Sequence, residues 1–294
     1  MYYICHLNLL VCKLNTTNNL KIKQIINMKF KVYKNERQFE NEELYFYDQN
    51  IIFIFHGLFG RGKNWHSIAL RISSIFEGII IVFDLRNHGE NEPSTEISYS
   101  MMVNDVFEFV NEKNINKFSI IGHSMGGKLG MLFTLLYPKF VKQLFVIDIA
   151  PVDYPREEVE IVDHLLKIDV KNCKSRKDVD VKLSNYINDK ELRSFLLQNL
   201  NFNNGIYSWS LDLNSIKMGM NDLRGFPIEL ISKISHIDTL CIFGENSPYI
   251  NKKYKDKFKT LFINLKFSKI EGAGHWLHVE KPNEFINIIS KKLI

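Results

Sequence analysis

Short apolar runs alternate with longer helical patterns from about residue 44 onward. Strands are predicted at residues 51–55, 79–83, 118–121, 144–149, 239–243 and 265–270. Several of these runs are apolar at nearly every position, which is expected of strands that helices cover on both faces. Helices are predicted at residues 65–76, 99–112, 128–137 and 283–293. The alternation is typical of a mostly parallel sheet with crossover helices.

The alternation stops between residues 151 and 236, where charged helical segments follow one another without an apolar strand. Residues 156–167 and 179–188 are two such segments. We expect this interval to be a helical cap, inserted into a core formed by residues 41–150 and 237–294. Ligands of open α/β sheets bind outside the carboxyl ends of the strands, so a cap at that edge covers the binding site.

The composition is that of an ordinary globular protein, with 45% hydrophobic and 24% charged residues. The net charge of +5 lies in the N-terminal segment, because residues 1–35 contain six lysines and no acid, and +5 less these six is −1. A nearly neutral remainder argues against nucleic-acid binding. The four cysteines do not suggest a disulfide framework, which fits a reducing compartment.

Residues 1–40 are predicted to be a tail that is either a targeting segment or disordered. The lysines without acids are compatible with an organelle transit peptide, although residues 1–35 lack arginine, and Met28 is an alternative start. No apolar run reaches the roughly 18 residues that a membrane-spanning helix needs, so stable membrane insertion is not expected. The cytoplasm is the expected location, with the mitochondrion or another organelle left open.

A candidate nucleophile lies in the motif Gly-His-Ser-Met-Gly, centred on Ser124, between a predicted strand and a predicted helix. This context is required of a nucleophile elbow, in which a sharp turn exposes the serine hydroxyl above the sheet. A serine hydroxyl needs a neighbouring base. His275 follows the last predicted strand and is the candidate base, with His278 as the alternative. No metal site is expected, because further ligands are missing near these two histidines.

The tetrahedral intermediate of acyl transfer needs two N–H donors for its oxyanion. One is expected from Met125, the residue after the nucleophile, and the other from Leu58, in a loop that follows the first predicted core strand. His56 precedes this loop and is interpreted as a structural brace, because a base that follows the nucleophile and the acid in the chain is expected near the C-terminus.

The motifs together resemble those of the YbfF-like and ABHD-type serine esterases of the α/β-hydrolase superfamily. The resemblance spans roughly residues 50–290 and includes the segments 56–60, 84–89, 122–128, 148–152, 244–249 and 272–278. It implies an α/β-hydrolase fold and the hydrolysis of small acyl esters or thioesters by a Ser, Asp, His triad, without a metal or an organic cofactor. Asn91 departs from the family, whose members usually carry serine there.

The third triad member is predicted to be Asp148. In many α/β-hydrolases the acid follows the strand at 239–243, but Asn246 occupies the aligned loop and an amide cannot stabilise imidazolium as a carboxylate does. Asp148 ends the preceding strand at the same edge of the sheet, and the branch that the chain resembles also carries an aspartate there. Glu245 is the alternative acid, and Asn246 is expected to support the site.

Other candidate residues are expected to support the site or to line it. Asp84, Arg86 and His88 form a charged loop that is interpreted as a brace beneath the active site. A substrate pocket is predicted from Phe59, Trp209 and Met218. A small-acyl carboxylesterase or thioesterase is the first functional hypothesis. A lipid or acylglycerol hydrolase stays open, because these enzymes share the catalytic residues and only the cap selects the substrate. A non-catalytic ligand-binding protein is a further alternative, against which the complete triad argues. The sequence leaves the oligomeric state open.

Overall fold

A computed structural model describes residues 28–39, 49–155 and 157–293 of the chain. The strands within these ranges are β1 (Phe30–Lys34), β2 (Arg37–Phe39), β3 (Ile51–Phe55), β4 (Ile79–Phe83), β5 (Phe118–His123), β6 (Val141–Ile147), β7 (Leu200–Asn203), β8 (Ile206–Trp209), β9 (Thr239–Gly244) and β10 (Leu265–Ile270). The helices are α1 (His66–Ser73), α2 (Tyr99–Glu112), α3 (Met125–Leu136), α4 (Glu157–Lys167), α5 (Arg176–Ser184), α6 (Lys190–Leu196), α7 (Leu213–Arg224), α8 (Lys252–Lys259), α9 (Leu277–Glu280) and α10 (Pro282–Leu293).

Eight of the strands form one twisted sheet in the order β10-β9-β6-β5-β3-β4-β1-β2. The neighbours from β10 to β4 pair in parallel. Parallel strands need crossover connections, which the helices between them provide. The six strands predicted from apolar runs all lie in this part of the sheet, with end residues that shift by at most three. The predicted fold class is confirmed.

Alternate residues of the central strands pack into two separate hydrophobic clusters, one on each face of the sheet. Phe53 and Phe55 of β3 pack with α2 and α3 on one face, whereas Ile52 and Ile54 pack with α1 and α10 on the other. All five residues of β3 are buried. Because helices cover both faces, neither face tolerates polar residues, which explains the continuous apolar runs.

The prediction of an N-terminal tail is wrong for residues 28–39. Strand β1 pairs antiparallel with β4, and β2 pairs antiparallel with β1. Val32 and Tyr33 are almost fully buried, so this hairpin contributes to the core on both faces. Scattered lysines without acids predict a tail, but in residues 30–34 the lysines alternate with apolar residues, a pattern that also suits an edge strand with one solvated face. Residues 1–27, where targeting was predicted, lie outside the described residues.

The cap contains four helices, α4 to α7, and also a β-hairpin that the sequence analysis did not predict. Strands β7 and β8 pair antiparallel through a turn at Asn204 and Gly205, both of which have positive φ angles of 51° and 82°. Asn-Gly is the preferred sequence for such two-residue turns, so this dipeptide was the available signal. No helix in the described ranges is both long and apolar enough to cross a membrane.

Candidate active site

Ser124 lies at the sharp turn between β5 and α3. Its φ and ψ angles are 51° and −118°, a conformation that costs a non-glycine residue of order 1–3 kcal/mol. The Ser124 N–H donates to the Ile147 carbonyl at 3.0 Å, and the Ser124 carbonyl accepts from the amides of Gly127 and Lys128. The turn is therefore fixed by the neighbouring strand on one side and by the first turn of α3 on the other.

The glycines of the motif permit close approaches of backbone to backbone. A Cβ atom on Gly126 would lie 2.4 Å from the Phe55 carbonyl oxygen, and a Cβ atom on Gly122 would lie 2.3 Å from the Gly126 carbonyl oxygen. Side chains at these positions would push α3 away from the sheet. The glycines thus allow the elbow to sit directly over the end of β3.

Asp148 follows β6 at the same edge of the sheet and is fully buried. Its φ angle is 54°, and its N–H donates to the Ile242 carbonyl at 2.8 Å. One carboxylate oxygen accepts from the Gly244 amide at 3.1 Å, and the other accepts from the Ser247 hydroxyl. The second oxygen also lies 2.7 Å from His275 Nδ1. The carboxylate therefore aims at the imidazole, and Ser247 is a partner that the sequence analysis missed.

His275 is held from two sides. Its ring stacks on Tyr249 with a centroid separation of 4.2 Å, and its carbonyl lies 3.0 Å from His123 Nε2. His123 directly precedes Ser124, so this contact joins the loop of the candidate base to the nucleophile turn. Burial lowers the pKa of His123 well below its usual value, which keeps the ring neutral with Nε2–H as the donor.

With His275 Nδ1 on Asp148, the Nε2 atom is left to face a reacting group. No hydrogen bond joins the Ser124 hydroxyl to His275 among the described residues. This contact is often long in free enzymes and tightens when substrate binds. The structure thus brings the three predicted catalytic residues to one edge of the sheet.

Two backbone amides beside Ser124 are free to donate. Neither the Leu58 N–H nor the Met125 N–H donates to another group in the described part of the chain. Met125 begins α3, whose first amides have no intrahelical acceptor and carry the positive end of the helix dipole. Both residues line a small pocket together with Ser124.

Two buried histidines fix the loop that carries Leu58. His56 Nδ1 lies 2.8 Å from the Gly57 carbonyl, and its Nε2 accepts from the Leu85 amide. His88 Nδ1 lies 2.8 Å from the Arg86 carbonyl, and its Nε2 accepts from the Phe59 amide at 3.1 Å. Burial lowers the pKa of His56 to about 4 and that of His88 to about 3. Both rings stay neutral, each with one donor and one acceptor in use.

The other predicted support residues brace the same region. Asp84 accepts from the amides of Gly62 at 2.6 Å and Glu90 at 2.9 Å. Arg86 makes a buried bidentate ion pair with Asp105, at 2.6 and 2.8 Å. None of these groups lines the pocket beside Ser124.

Asn91, the departure from the family pattern, is also fully engaged. Its Nδ2 donates to the carbonyls of Asp84 and Leu85, and its Oδ1 accepts from the Lys29 amide at 2.8 Å. The asparagine therefore keeps the loop in place and also ties the N-terminal segment to it.

The alternative residues face other groups. Glu245 is exposed and lies 2.6 Å from Lys269, and this hydrogen bond lowers the pKa of its carboxyl. His278 is buried against Trp65, with stacked rings 4.3 Å apart, and burial lowers its pKa to about 3. The Asn246 side chain is exposed, and its backbone N–H donates to the Ala273 carbonyl, two residues before His275.

The three residues predicted to form the substrate pocket do not line the pocket beside Ser124. Met218 is 74% exposed, so its assignment to the pocket is wrong; α7 turns Ile216, Met220 and Leu223 inward instead. Phe59 is buried in the core, and Trp209 is half-buried in the cap hairpin. Neither lines the pocket beside Ser124, which is formed by Leu58, Tyr99, Ser124, Met125, Lys128, Ile149, Tyr154 and Leu223.

The core holds both ends of α7 in the cap. Asn87 exchanges two hydrogen bonds with the backbone of Asp212, at 2.9 and 3.0 Å, before the helix begins. At the other end, buried Lys128 donates to the carbonyls of Arg224 and Gly225, at 2.6 and 2.7 Å. A cation at the C-terminal carbonyls also suits the helix dipole. Lys128 lies four residues after Ser124, so the helix that follows the candidate nucleophile is hydrogen-bonded directly to the cap.

The sequence profile of the α/β hydrolase fold family matches residues 50–282. The chain belongs to this family. In the described ranges, no three His, Cys, Asp or Glu residues lie close enough together to hold a metal ion.

Two curated α/β hydrolases illustrate the branch. Esterase YbfF of Escherichia coli is 32% identical over 243 residues, which cover 82% of this chain and 92% of that protein. The sn-1-specific diacylglycerol lipase ABHD11 of Danio rerio is 31% identical over 248 residues, which cover 82% of this chain and 78% of that protein. These similarities confirm the predicted resemblance to the YbfF-like and ABHD-type branch.

A solved α/β hydrolase, described as a marine microorganism esterase, superposes with a TM-score of 0.82. The two sequences are 34% identical, and the superposed region covers 90% of this chain and 99% of the esterase. The family and these relatives make the protein a carboxylic ester hydrolase, as the sequence predicts.

Proposed function

We propose that the protein hydrolyses small acyl esters or thioesters through a Ser124, His275, Asp148 triad and an acyl-enzyme intermediate. The observation that carries the proposal is the strained turn at Ser124, with φ of 51°, next to an imidazole that is hydrogen-bonded to a fully buried carboxylate. A hydroxyl, a base and an orienting acid at one edge of the sheet are the requirements of nucleophilic acyl transfer.

In the first step the Ser124 oxygen attacks the carbonyl carbon of the substrate, and His275 Nε2 accepts the hydroxyl proton. The carbonyl oxygen becomes an oxyanion, which accepts hydrogen bonds from the Leu58 and Met125 amides. Asp148 stabilises the imidazolium through Nδ1–H and holds the tautomer that leaves Nε2 free. The tetrahedral intermediate collapses, and the imidazolium returns the proton to the departing alcohol or thiol.

In the second step water replaces the leaving group. His275 Nε2 takes a proton from the water as its oxygen attacks the acyl carbon of the Ser124 ester. The same two amides stabilise the second oxyanion. Collapse releases the carboxylic acid and returns the proton to the Ser124 oxygen, so the enzyme is regenerated.

The pocket beside Ser124 supports small acyl groups. Tyr154 and Leu223 line this pocket, and the cap residue Leu223 is fixed because its carbonyl accepts from the Tyr99 hydroxyl at 2.8 Å. Tyr154 is fixed by its hydroxyl, which accepts from the Ala150 amide and donates to the Tyr249 carbonyl. Mostly apolar walls suit a short hydrocarbon chain.

A lipid or acylglycerol substrate is the second candidate. The relative from Danio rerio, named as an sn-1-specific diacylglycerol lipase, favours this alternative. A long acyl chain would need the cap to move away from the pocket. The length dependence of activity therefore separates the two candidates.

The test is hydrolysis of nitrophenyl esters of graded length by the purified protein and its Ser124→Ala variant, together with labelling by a fluorophosphonate probe. We expect activity to be greatest on short esters and to fall by at least about 10⁴-fold in Ser124→Ala, with loss of labelling. Activity or labelling that survives in the variant would remove Ser124 as the nucleophile. Activity confined to long chains would favour the lipid candidate.

A further inference from the structure

We propose that Asn199, a residue of the cap, positions the oxyanion donor Leu58 through the carbonyl of Phe59. The inference rests on the proposed function, because it assigns the Leu58 amide to the oxyanion. It adds a role for the cap: the cap holds part of the catalytic machinery in place and does not only cover the substrate.

The backbone of Phe59 is hydrogen-bonded through both its N–H and its carbonyl, and we call these two contacts the clamp. Its φ angle is 61°, an unfavourable value for a bulky residue without glycine's freedom. Its N–H donates to His88 Nε2 at 3.1 Å, and its carbonyl accepts from Asn199 Nδ2 at 2.7 Å. The first contact comes from the core and the second from the cap, so the strained turn depends on both.

The clamp reaches Leu58 through the turn itself. The Gly57 carbonyl accepts from the Gly60 amide at 3.0 Å and faces His56 Nδ1 at 2.8 Å. The Leu58 N–H belongs to the same planar peptide as this carbonyl, so the direction of one sets the direction of the other. A turn held at its first peptide by His56 and at its last by Asn199 leaves Leu58 little freedom.

Asn199 is itself fixed by the cap. The residue is 1% exposed, and its carbonyl accepts from the Ser210 amide at 2.8 Å, just beyond the hairpin of β7 and β8. The preceding residue, Gln198, makes further contacts with the core: its carbonyl accepts from Arg61 and its side-chain carbonyl accepts from Asn64. Movement of this cap segment would therefore be transmitted to the loop that carries Leu58.

The consequence is a defined kinetic signature. Loss of the Asn199 donor frees the Phe59 carbonyl and lets the Leu58 amide drift from the oxyanion. Removal of one oxyanion donor costs about 10²–10³-fold in kcat, and loosening one should cost about 10- to 100-fold. The loss should not depend on acyl length, since the oxyanion is common to all substrates.

The experiment compares the full-length protein with Asn199→Ala, and with Asn201→Ala as a matched control that removes an exposed asparagine two residues later, in β7. Kinetics are measured on nitrophenyl acetate and nitrophenyl hexanoate. A trifluoromethyl ketone, whose adduct with Ser124 carries an oxyanion, is the second probe. We expect Asn199→Ala to lower kcat about 10- to 100-fold on both esters, with KM within about 3-fold, and to weaken the ketone by a similar factor. Asn201→Ala should match the parent protein.

A loss that appears only on hexanoate, or only in KM, would make Asn199 a substrate contact or a packing residue and would overturn the inference. Unchanged kinetics would overturn it as well. If the alanine variant does not fold, as judged by circular dichroism, Asn199→Leu keeps the volume without the donor and is judged by the same criteria. A parallel Ser124→Ala variant separates the two proposals. Residual activity in that variant would count against Ser124 as the nucleophile, whereas normal kinetics in the Asn199 variants would count only against the positioning role of Asn199.

Discussion

Two carboxylates, those of Asp148 and Glu245, lie at the same edge of the sheet but differ in burial and in hydrogen-bond partners. Asp148, after β6, is fully buried and accepts hydrogen bonds from Gly244, Ser247 and His275. Glu245, after β9, is exposed and pairs with Lys269. An acid that orients an imidazole needs a fixed position and an environment that water does not screen. On this contrast in burial and hydrogen-bond partners we base the proposal that Asp148, and not Glu245, serves the base.

The largest effect is expected from Asp148→Asn. Asparagine tolerates the positive φ angle at this position, so the backbone should persist, but the amide cannot stabilise the imidazolium. We expect kcat to fall by about 10⁴-fold on a short nitrophenyl ester, with little change in thermal stability. Glu245→Gln is the control and should stay within about 3-fold of the parent, because an exposed ion pair contributes little. A greater loss in Glu245→Gln than in Asp148→Asn would reverse the assignment.

Ser247→Ala should have a smaller effect on the same acid. Its hydroxyl donates to the carboxylate oxygen that also faces His275 Nδ1. Without it, the carboxylate loses one charge-assisted hydrogen bond and is less well oriented, so kcat should fall about 10-fold. Steady-state kinetics measure the effect. The control is Ser290→Ala, which removes an exposed hydroxyl near the end of α10. Equal activity in both variants would mean that Asp148 does not need this donor.

Burial also gives three histidines lower pKa values in the folded protein than in the unfolded chain. His56, His88 and His278 have pKa values lowered to about 4, 3 and 3 by burial. Between about pH 4 and pH 6.5 these histidines are protonated in the unfolded chain and not in the folded protein, so their contribution to stability falls as the pH falls through this window and is constant above it. Each histidine contributes a slope of up to about 1.4 kcal/mol per pH unit.

His278→Phe tests this slope at the position where the ring stacks on Trp65, because phenylalanine preserves the stacking without the titration. Urea unfolding at a series of pH values should give a shallower pH dependence in the variant, by up to about 1.4 kcal/mol per unit. An unchanged slope would show that His278 takes up its proton equally in both states.

Sequence patterns predict the structure best where the signal is local. The elbow at Ser124 combines a strand, a tight turn and a helix within a few residues, so the motif carries its own structural context. Asp148 and His275 followed from the rule that parallel strands end at one edge of a sheet. Contacts between distant segments were not accessible in this way: Ser247 and Tyr249 lie in a segment that resembles the family, but the sequence does not indicate that they contact Asp148 and His275.

The cap and the N-terminal hairpin show the limit of pattern reading. Met218 suggested an acyl pocket, but the rotation of α7 about its axis is set by packing against α4 and the core, which leaves Met218 in solvent. Strand β1 belongs to the acid-free, lysine-containing residues 1–35, a composition that suits a leader as much as a strand. Pairing with β4, which is distant in the chain, decided the outcome.

The attachment of Met28 and Lys29 limits how far the N-terminus can be trimmed. Met28 is buried, and Lys29 uses both its amide and its carbonyl to bind Asn91 and Asp84, beside the loop that braces the active site. Removal of the chain through residue 34 would leave β4 as a bare apolar edge, open to pairing with other molecules. A protease or an alternative start site that removes Met28 and Lys29 would therefore also remove contacts on which the loop beside the active site depends.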